Sequence, residues 1–454
     1  MYELKRTITL FDAVMINLGA IIGAGIFVII GIAIGHSGPS IFISILISAI
    51  VATLTGICFS RIAMSVAKEG GTYEYAKSAF SPFAGFIGGW MWIFGNIIAI
   101  AAVSLSLGNY ANVLLGTSFP VLAFAVGTII AFALINIYGI KNSAKTITFL
   151  VFINIIVLVA FIAFGLGAFK LVNFAELFPN GFAGTLFGAS IIFFAFTGFS
   201  RVTTISEEVV DPERTIPKAI ILSIAISTIF YIAIGLVAVG LVPYSTMAHS
   251  SAPLSVAIAV LHNNLLGSLI ALGGVTATAG VAFTGILGVS RVFFAMGRDR
   301  ELPGFLGSID KFSTPINAIL VTLALSIVFM VLVSFGTIVE ASNSAILIAY
   351  GIVDIAALNI ALKKDHAGSR GFIYSRRFVI VPVLALGSIG VMLAYLFGEG
   401  FSIALALAVI ALLFYAFRKV LESNKIIKPA ATAVPKRSEV RAFGELKKVF
   451  GRFI

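Results

Sequence analysis

The stretch GAIIGAGIF, residues 19–27, lies inside an apolar run that is long enough to cross a membrane. Gly19, Gly23 and Gly25 are unfavourable there, because glycine in a helix interior costs about 1 kcal/mol relative to alanine. In a bilayer, a backbone group without its helical partner costs considerably more. The sequence therefore predicts a helix that is broken at this point, with a bound ligand that compensates the exposed backbone groups.

The composition of the chain is that of a membrane protein. Its 454 residues are 60% hydrophobic and 11% charged, whereas soluble domains contain about 25% charged residues. Apolar stretches of about 20 residues, enough to cross the hydrocarbon core, recur along the chain. We predict an all-α polytopic membrane protein with twelve transmembrane segments: 11–34, 41–60, 83–110, 119–138, 147–169, 182–206, 217–241, 267–296, 316–335, 341–361, 378–397 and 400–418.

The distribution of positive charge predicts the orientation of these segments. If the N-terminus is inside, all of the 30 Lys and Arg residues except Lys170 fall on the cytoplasmic side. We therefore expect a multi-pass protein of the cell membrane with both termini in the cytoplasm. The net charge of +11 then reflects topology, and no nucleic-acid partner is expected.

A second interruption lies five segments later, in FFAFTGFSR (193–201). Thr197 and Gly198 interrupt another apolar run there, so the first and sixth segments are broken at corresponding positions. Such a pair of interruptions indicates a transporter built from inverted repeats, for which the leucine-transporter fold is an established example.

The two breaks together predict a site for a zwitterion. A break at Gly23 to Gly25 frees N–H groups at the positive end of a helix dipole, which suit a carboxylate. Carbonyls left unpaired near Phe194, Ala195 and Ile21 suit an ammonium group. The alternative for the glycines is a close-packing helix face, and the alternative for the neighbouring phenylalanines is ordinary core or lipid contact.

Six motifs, in this order and spacing, resemble the amino acid–polyamine–organocation superfamily of transporters: IIGAGIF (21–27), KEGGTYEYAKSAFSPFAGFIGGW (68–90), GIKNSA (139–144), FFAFTGF (193–199), EEVVDPERTIPKAI (207–220) and SRVFFAMGRDRELP (290–303). The resemblance implies a leucine-transporter-like fold with two inverted five-helix repeats and two peripheral helices. On this basis, residues 1–169 form the first repeat, 182–361 the second, 378–418 the peripheral segments and 419–454 a basic tail.

The resemblance also assigns the substrate site. It places the substrate carboxylate at Gly23, Ala24 and Gly25, and the amino group at the carbonyls of Ile21, Phe194 and Thr197. Phe194 takes the place of the aromatic residue that closes over the ligand, and Ala24 stands where the family often has serine. Residues near the breaks provide the expected pocket walls: Ile22, Ile97, Phe194, Phe196 and Thr197.

No acidic residue lies near the breaks, since Asp12 is about three turns away and is expected to cap the helix start. This favours a small to medium neutral L-amino acid over arginine or a polyamine. A cationic amino acid or polyamine remains the alternative, because backbone carbonyls alone can hold a cation.

The residues expected to couple transport to an ion differ from those of relatives. The resemblance implies that Asn154 replaces the lysine of proton-coupled members, and that Ala279 and Gly280 replace the hydroxyls of sodium-coupled members. Asp354 is the one ionisable group deep within a segment, and intramembrane carboxylates commonly relay protons. We expect exchange or uncoupled uptake, with proton coupling through Asp354 as the alternative and a structural, paired Asp354 as the simplest account.

Charged residues at the end of the sixth segment are candidates for an inner gate. Glu207 and Glu208 are expected to form salt bridges with Arg201 or with the loop over 61–77, and ordinary solvated loop charge is the alternative. In the tail, apolar residues recur at helical spacing among basic residues, namely Val440, Phe443, Leu446, Phe450 and Phe453. This pattern is typical of an amphipathic helix on the anionic inner leaflet, and a frayed polar tail is the alternative.

Other functional classes find little support in the sequence. Enzyme chemistry is not expected, because the four histidines show no metal-ligand spacing and Cys58 is the single cysteine. No cofactor or metal is therefore predicted, and the oligomeric state is left open. A channel would need a continuous polar face, which the segments lack. A membrane sensor that binds an amino acid without moving it remains possible.

Overall fold

The computed structural model describes residues 4, 6–23, 25–248, 250, 252–310, 313–332, 335–362 and 376–423. Ala24, the histidines at 249 and 366, and the predicted amphipathic helix of the tail lie outside the described residues. Apart from an isolated bridge between Ile8 and Val209, the described part is helical. Its α-helices are α1 (Leu10–Ile21), α2 (Ile30–Ser37), α3 (Ile41–Ala63), α4 (Thr72–Ala79), α5 (Pro82–Leu115), α6 (Val121–Ile137), α7 (Ile140–Leu166), α8 (Gly181–Ile192), α9 (Pro212–Leu241), α10 (Tyr244–Ala248), α11 (Pro253–Ala259), α12 (Asn264–Arg298), α13 (Ile316–Leu332), α14 (Phe335–Leu362), α15 (Ile380–Tyr395) and α16 (Glu399–Ser423).

The helices are those of a multi-pass membrane protein. By length and composition, 9 helical stretches of the described residues are able to cross a membrane, and the first of them, Leu10–Ala63, includes α1, α2 and α3. Two further apolar helices, α6 and α13, are shorter. Each of the twelve predicted segments overlaps helical structure, so the predicted all-α, polytopic class is confirmed.

Helices at the centre of the bundle differ from those at its edge. The most apolar part of α5 is 89% buried, whereas that of α16 is 22% buried. Apolar side chains such as Phe149, Ile229 and Leu413 are exposed on the outside. In a membrane protein this outer surface contacts lipid, since a bilayer solvates apolar side chains as well as a protein core does.

The first and sixth segments lie next to each other in the centre. Helix α1 packs against residues 193–208 and α9, and α2 packs against α8. Helix α5 packs along α12 and α14 on the other side. The two predicted breaks are therefore close together in the fold, although they are far apart in the sequence.

The bundle has two distinct ends. The end that we call the basic end carries the connections 64–71, 207–211 and 299–310. Ion pairs join Lys77 of α4 to Asp299 and Arg298 of α12 to Glu207 there. The opposite end is covered by α10 and α11, with the backbone of Met247 close to Gly31. These two short helices span Tyr244–Ala248 and Pro253–Ala259.

Candidate functional site

The first segment is broken where the sequence predicts. Helix α1 begins with a capping box formed by Thr9 and Asp12, as expected for Asp12, and ends at Ile21. Ile22 has φ −75° and ψ 81°, which is not helical. The chain resumes as a π-helical turn over Gly25–Ile29 before α2 begins. Such turns are frequent at functional sites because they free backbone groups from regular pairing.

The sixth segment changes conformation rather than unwinding at Thr197 and Gly198. Helix α8 ends at Ile192, and residues Phe193–Glu208 form a 3₁₀ helix. The sequence predicts an α-helix that ends near Ala195, with unpaired carbonyls there. That prediction is wrong by about one turn, because α8 ends earlier. The predicted interruption of α-helical structure in this segment is present, but its backbone is more regular than expected.

A row of hydroxyls accounts for this 3₁₀ conformation. Thr197, Ser200, Thr203 and Ser206 are spaced by three, and residues three apart eclipse in a 3₁₀ helix. The hydroxyl of Thr197 donates to the Phe194 carbonyl at 2.8 Å, and that of Thr203 donates to the Ser200 carbonyl at 2.7 Å. These bonds favour the tighter turn, and their period of three was readable in the sequence.

The two breaks touch each other. A Cβ atom on Gly25 would lie 2.2 Å from the Cβ atom of Ala195, and one on Gly198 would lie 2.5 Å from the carbonyl carbon of Ala20. A Cβ atom on Gly23 would lie 2.0 Å from Val281 in α12. Glycine is therefore required for close packing at these positions, as the alternative to a ligand site anticipated.

Tyrosine hydroxyls reach the carbonyls that the sequence assigned to an ammonium group. Tyr231 donates to the carbonyl of Ile21 and, at 3.2 Å, to that of Ala195. Tyr350 donates to the carbonyl of Thr197. Each carbonyl has a second lone pair, so an ammonium group would share these acceptors with the tyrosines. Sequence reasoning missed Tyr231 and Tyr350, although a polar side chain in an apolar segment is itself a signal.

Four of the five expected pocket walls are buried, and Thr197 is half-buried. Ile22, Ile97 and Phe196 are fully buried, and Phe194 nearly so. The ring of Phe196 meets Tyr231 edge to face, with 5.2 Å between ring centroids. The structure thus combines an apolar lining with the two hydroxyls, which suits an apolar ligand that carries a few polar groups.

The predicted coupling positions lie in pairs between helices. The hydroxyl of Thr276 donates to the amide oxygen of Asn154. A Cβ atom on Gly280 would lie 3.0 Å from the carbonyl oxygen of Gly19, and Ala279 beside it is buried. Neither arrangement introduces a titratable group next to the first break.

Asp354 is fully buried in α14. Its carboxylate accepts a hydrogen bond of 3.1 Å from Thr55 in α3, and Cys58 lies beside it. Four residues earlier, Tyr350 contacts the sixth segment. The expected contact with a neighbouring helix is present, and it is a hydrogen bond within the core.

The candidate gate residues form ion pairs at the basic end. Glu207 binds Arg298 through two bonds of 3.0 and 2.8 Å, and Glu208 binds Arg291 at 3.0 Å. The backbone N–H of Glu69, in the loop over 61–77, also donates to Glu207 at 3.1 Å. Both glutamates thus form ion pairs, but with arginines of α12 that were not expected from the sequence, and the contact to the loop over 61–77 is a backbone hydrogen bond.

The expectation of a salt bridge to Arg201 is wrong. Six residues separate it from Glu207, which is about 12 Å along a 3₁₀ helix, and its guanidinium turns to α5 instead. It donates to Asn96 at 2.8 Å and lies 5.0 Å from the ring centroid of Trp92.

A buried glutamate lies beside the ion pairs of the basic end. Glu69 is fully buried beside Glu208. Desolvation is the main cause that raises the pKa of Glu69 well above its ordinary value, and the charges of Glu208 and Glu207 raise it further, against the opposing effect of Arg291 and Arg298. In this conformation Glu69 therefore retains its proton at pH values where an exposed glutamate has lost it.

Comparison with known proteins gives consistent results over most of the chain. The family model for amino acid permeases matches residues 12–406. An uncharacterized transporter of Mycobacterium tuberculosis is 33% identical over 369 residues, which cover 80% of this chain and 82% of the relative. The branched-chain amino acid permease BcaP of Bacillus subtilis is 30% identical, with 80% and 82% covered. The methylthioribose transporter of the same organism is 28% identical, with 87% and 88% covered.

Proposed function

The chain belongs to the amino acid permease family, and from this premise we propose that it is a secondary transporter that moves neutral L-amino acids across the cell membrane by alternating access. The observation that carries the proposal is the contact between the two interrupted segments at Gly25 and Ala195. Two irregular helices that meet in the centre of an apolar bundle are the expected place for a substrate, because irregular backbone is tolerated at membrane depth only where something satisfies it.

The proposed topology has twelve transmembrane segments in two inverted repeats, 1–169 and 182–361, with peripheral segments over 378–418. Both termini lie in the cytoplasm, so the basic end is the cytoplasmic end. The concentration of Lys and Arg in the connections at this end supports the orientation. The tail over 419–454 lies against the anionic inner leaflet in this proposal.

The substrate site is proposed at the junction of the two breaks. The N–H groups of Gly23, Ala24 and Gly25 bind the carboxylate, and the carbonyls of Ile21, Phe194 and Thr197 receive the amino group. The tyrosine hydroxyls at these carbonyls then either join the ligand or give way to it. Gly25 and Ala195 must separate for a ligand to enter, which is the movement that alternating access requires.

A neutral substrate is favoured by the lining of the site. The buried side chains around the breaks are apolar or hydroxylated, and the branched-chain permease among the relatives points the same way. Cationic amino acid transporters of Arabidopsis thaliana are also related, one of them 28% identical over 71% of this chain, so a cationic substrate is the second candidate. A membrane sensor that binds without transport is the alternative from another class.

The gate at the basic end is proposed to be the cytoplasmic gate. Glu207 and Glu208 tie the sixth segment to α12 through Arg298 and Arg291. When these ion pairs are formed, they close the route from the breaks to the cytoplasm. The same pairs must separate before the substrate can be released.

Counterflow in proteoliposomes tests the proposed function. Vesicles that contain the purified protein and an unlabelled mixture of amino acids should accumulate a labelled neutral amino acid from outside without any ion gradient. Protein-free vesicles provide the baseline. Binding detected by thermal stabilisation, without accumulation of any amino acid, would favour the sensor.

A further inference from the structure

Arg201 is a buried cation that has no acidic partner among the residues that the structure describes. It is 4% exposed, and its single hydrogen bond goes to the neutral amide oxygen of Asn96 at 2.8 Å. Its Nε and Nη1 atoms have no hydrogen-bond partner among the described residues. Three of the five donor positions of this guanidinium are therefore available to an acceptor that is not part of the described chain, namely those on Nε and Nη1.

Two other buried arginines of the described chain are paired with glutamates. Arg291 binds Glu208, and Arg418 binds Glu301. The face of Trp92 beneath Arg201, 5.0 Å away, offsets only part of a charge. An uncompensated charge in a low-dielectric interior is strongly destabilising and is usually retained for function.

The position of Arg201 is between the two breaks and the basic end. Along α12, Val281 meets Gly23 and Gly288 meets Arg201, and seven residues of an α-helix span about 10 Å. Because α12 ends at the basic end, Arg201 lies on that side of the breaks. On the way from the breaks to the basic end, Arg201 comes before the ion pair of Glu208 and Arg291.

The neighbouring helix leaves space for this guanidinium. A Cβ atom on Gly288 would lie 2.6 Å from both the Cδ and Nη1 atoms of Arg201. The absence of a side chain at this one position lets the arginine occupy the centre of the bundle. The site is thus built from an arginine, an amide that orients it, and a glycine that makes room for it.

We propose that Arg201 forms a second carboxylate-binding position in the transport pathway. The substrate binds there through its α-carboxylate after it leaves the glycines of the first break and before it passes the gate at the basic end. The inference rests on the proposed function. A carboxylate presents two acceptor oxygens to the free donors of the guanidinium, and charge-assisted bonds of this kind are among the strongest available.

The same residue selects substrates by charge. A zwitterion brings a carboxylate to Arg201, whereas lysine or arginine brings an additional positive charge that the buried guanidinium repels. Charge repulsion by Arg201 therefore favours neutral over cationic amino acids, in addition to the effect of the apolar lining at the first site.

Exchange by Arg201→Gln, Arg201→Lys and Asn96→Asp variants tests this assignment. Vesicles are loaded with an unlabelled mixture of amino acids, and entry of a panel of labelled neutral amino acids and of labelled lysine is measured. Wild-type protein should exchange neutral amino acids and exclude lysine. In Arg201→Gln, neutral exchange should fall roughly tenfold or more, as for loss of a hydrogen bond to a charged group, and lysine should enter. Arg201→Lys retains the charge and should still exclude lysine.

Asn96→Asp keeps the arginine but gives it a permanent carboxylate partner of nearly the same shape. It should therefore reproduce the effects of Arg201→Gln even if the latter folds poorly. Asn136→Asp is the matched control, since Asn136 is also a buried amide but bonds to Phe132 and Ser143 rather than to an arginine. The control should leave charge selectivity unchanged.

The outcomes separate the two proposals. If wild-type vesicles exchange no amino acid, the proposed function fails. If they do, but Arg201→Gln and Asn96→Asp keep the rate and selectivity of wild type, only the role of Arg201 is overturned. The same holds if Asn136→Asp changes selectivity equally, or if Arg201 variants alter only a dependence on chloride, which would make the ligand an inorganic anion.

Discussion

Gly25 is the residue at which the contact between the two interrupted segments can be tested most directly. In Gly25→Ala the new Cβ atom would meet Ala195 at 2.2 Å, so the breaks must move apart. Overpacking of this kind costs about 1–3 kcal/mol, and we expect exchange to fall by at least tenfold, since the conformation that joins the segments is disfavoured. The measurement is initial counterflow rate together with thermal unfolding in detergent.

Gly127→Ala is the matched control for this substitution. Gly127 is in α6, and a Cβ atom there would meet nothing within 4 Å. It should leave exchange unchanged and stabilise the helix by up to about 1 kcal/mol. Wild-type exchange by a folded Gly25→Ala variant would show that the contact plays no part in transport.

Tyr231 carries a second prediction at this scale. Tyr231→Phe removes the hydroxyl that donates to the carbonyls of Ile21 and Ala195 and leaves two buried acceptors without this donor. We expect the protein to lose about 1–3 kcal/mol of stability, seen as a lower midpoint of thermal unfolding. Tyr395→Phe, at the end of α15, should leave the midpoint in place. Equal midpoints for Tyr231→Phe and wild type would mean that water or another group serves these carbonyls.

At the scale of elements, the sequence predicts the first break better than the second. Glycine at 23 and 25 is a strong local signal. A helix in lipid accepts the cost of glycine either for close packing or for a ligand site, and the two coincide in the proposed site. The 3₁₀ form of residues 193–208 depends on hydroxyls whose spacing competes with the α-helical pattern of their apolar neighbours. A hydrophobicity pattern alone does not resolve that competition.

Side-chain partners at the gate were likewise only partly predictable. The charges of Glu207 and Glu208 indicated ion pairs, but the choice of Arg298 and Arg291 over Arg201 depends on how α12 packs against the sixth segment. The loop containing Glu69 adds a third carboxylate to the two. Burial of that carboxylate is a property of tertiary packing, which a single sequence does not reveal.

The loop that contains Glu69 should make closure of the basic end depend on pH. Burial and the neighbouring Glu208 and Glu207 raise the pKa of Glu69 in the closed gate, while Arg291 and Arg298 oppose this. The closed gate then binds more protons than an open gate in which Glu69 is exposed. The contribution of Glu69 to closure is therefore fully present below the ordinary pKa of glutamate and is lost as pH rises through the raised pKa.

Labelling of a cysteine at the gate measures this dependence. In a Cys58→Ala background, a Ser206→Cys thiol is buried when the gate is closed, and its reaction with a maleimide should accelerate with pH beyond the acceleration of an exposed Ser308→Cys thiol. Adding Glu69→Gln should remove the excess, because the amide stays neutral at every pH. An excess that survives Glu69→Gln would assign the titration to another group.

At the scale of the whole molecule, the open question is what drives transport. The hydroxyl of Thr276 donates to the amide oxygen of Asn154, and an amide cannot titrate. Asp354 is a fully buried carboxylate of the central helices, and α14 links it to the sixth segment through Tyr350. A bundle of this kind has the parts for exchange of one amino acid for another, since each half-cycle can be completed by a bound substrate alone.

We therefore expect exchange without an ion gradient, and little entry into empty vesicles. Vesicles preloaded with amino acid should take up labelled neutral amino acid at equal pH and in the absence of sodium, and Asp354→Asn should exchange at a rate within about threefold of wild type, as for a buried polar group that keeps its hydrogen bond to Thr55. If uptake into empty vesicles follows an imposed pH gradient, and Asp354→Asn abolishes that dependence while exchange persists, then Asp354 carries the proton and the protein is a symporter. Uptake that follows a sodium gradient would contradict both mechanisms, because the positions at Ala279 and Gly280 offer sodium no side-chain oxygen.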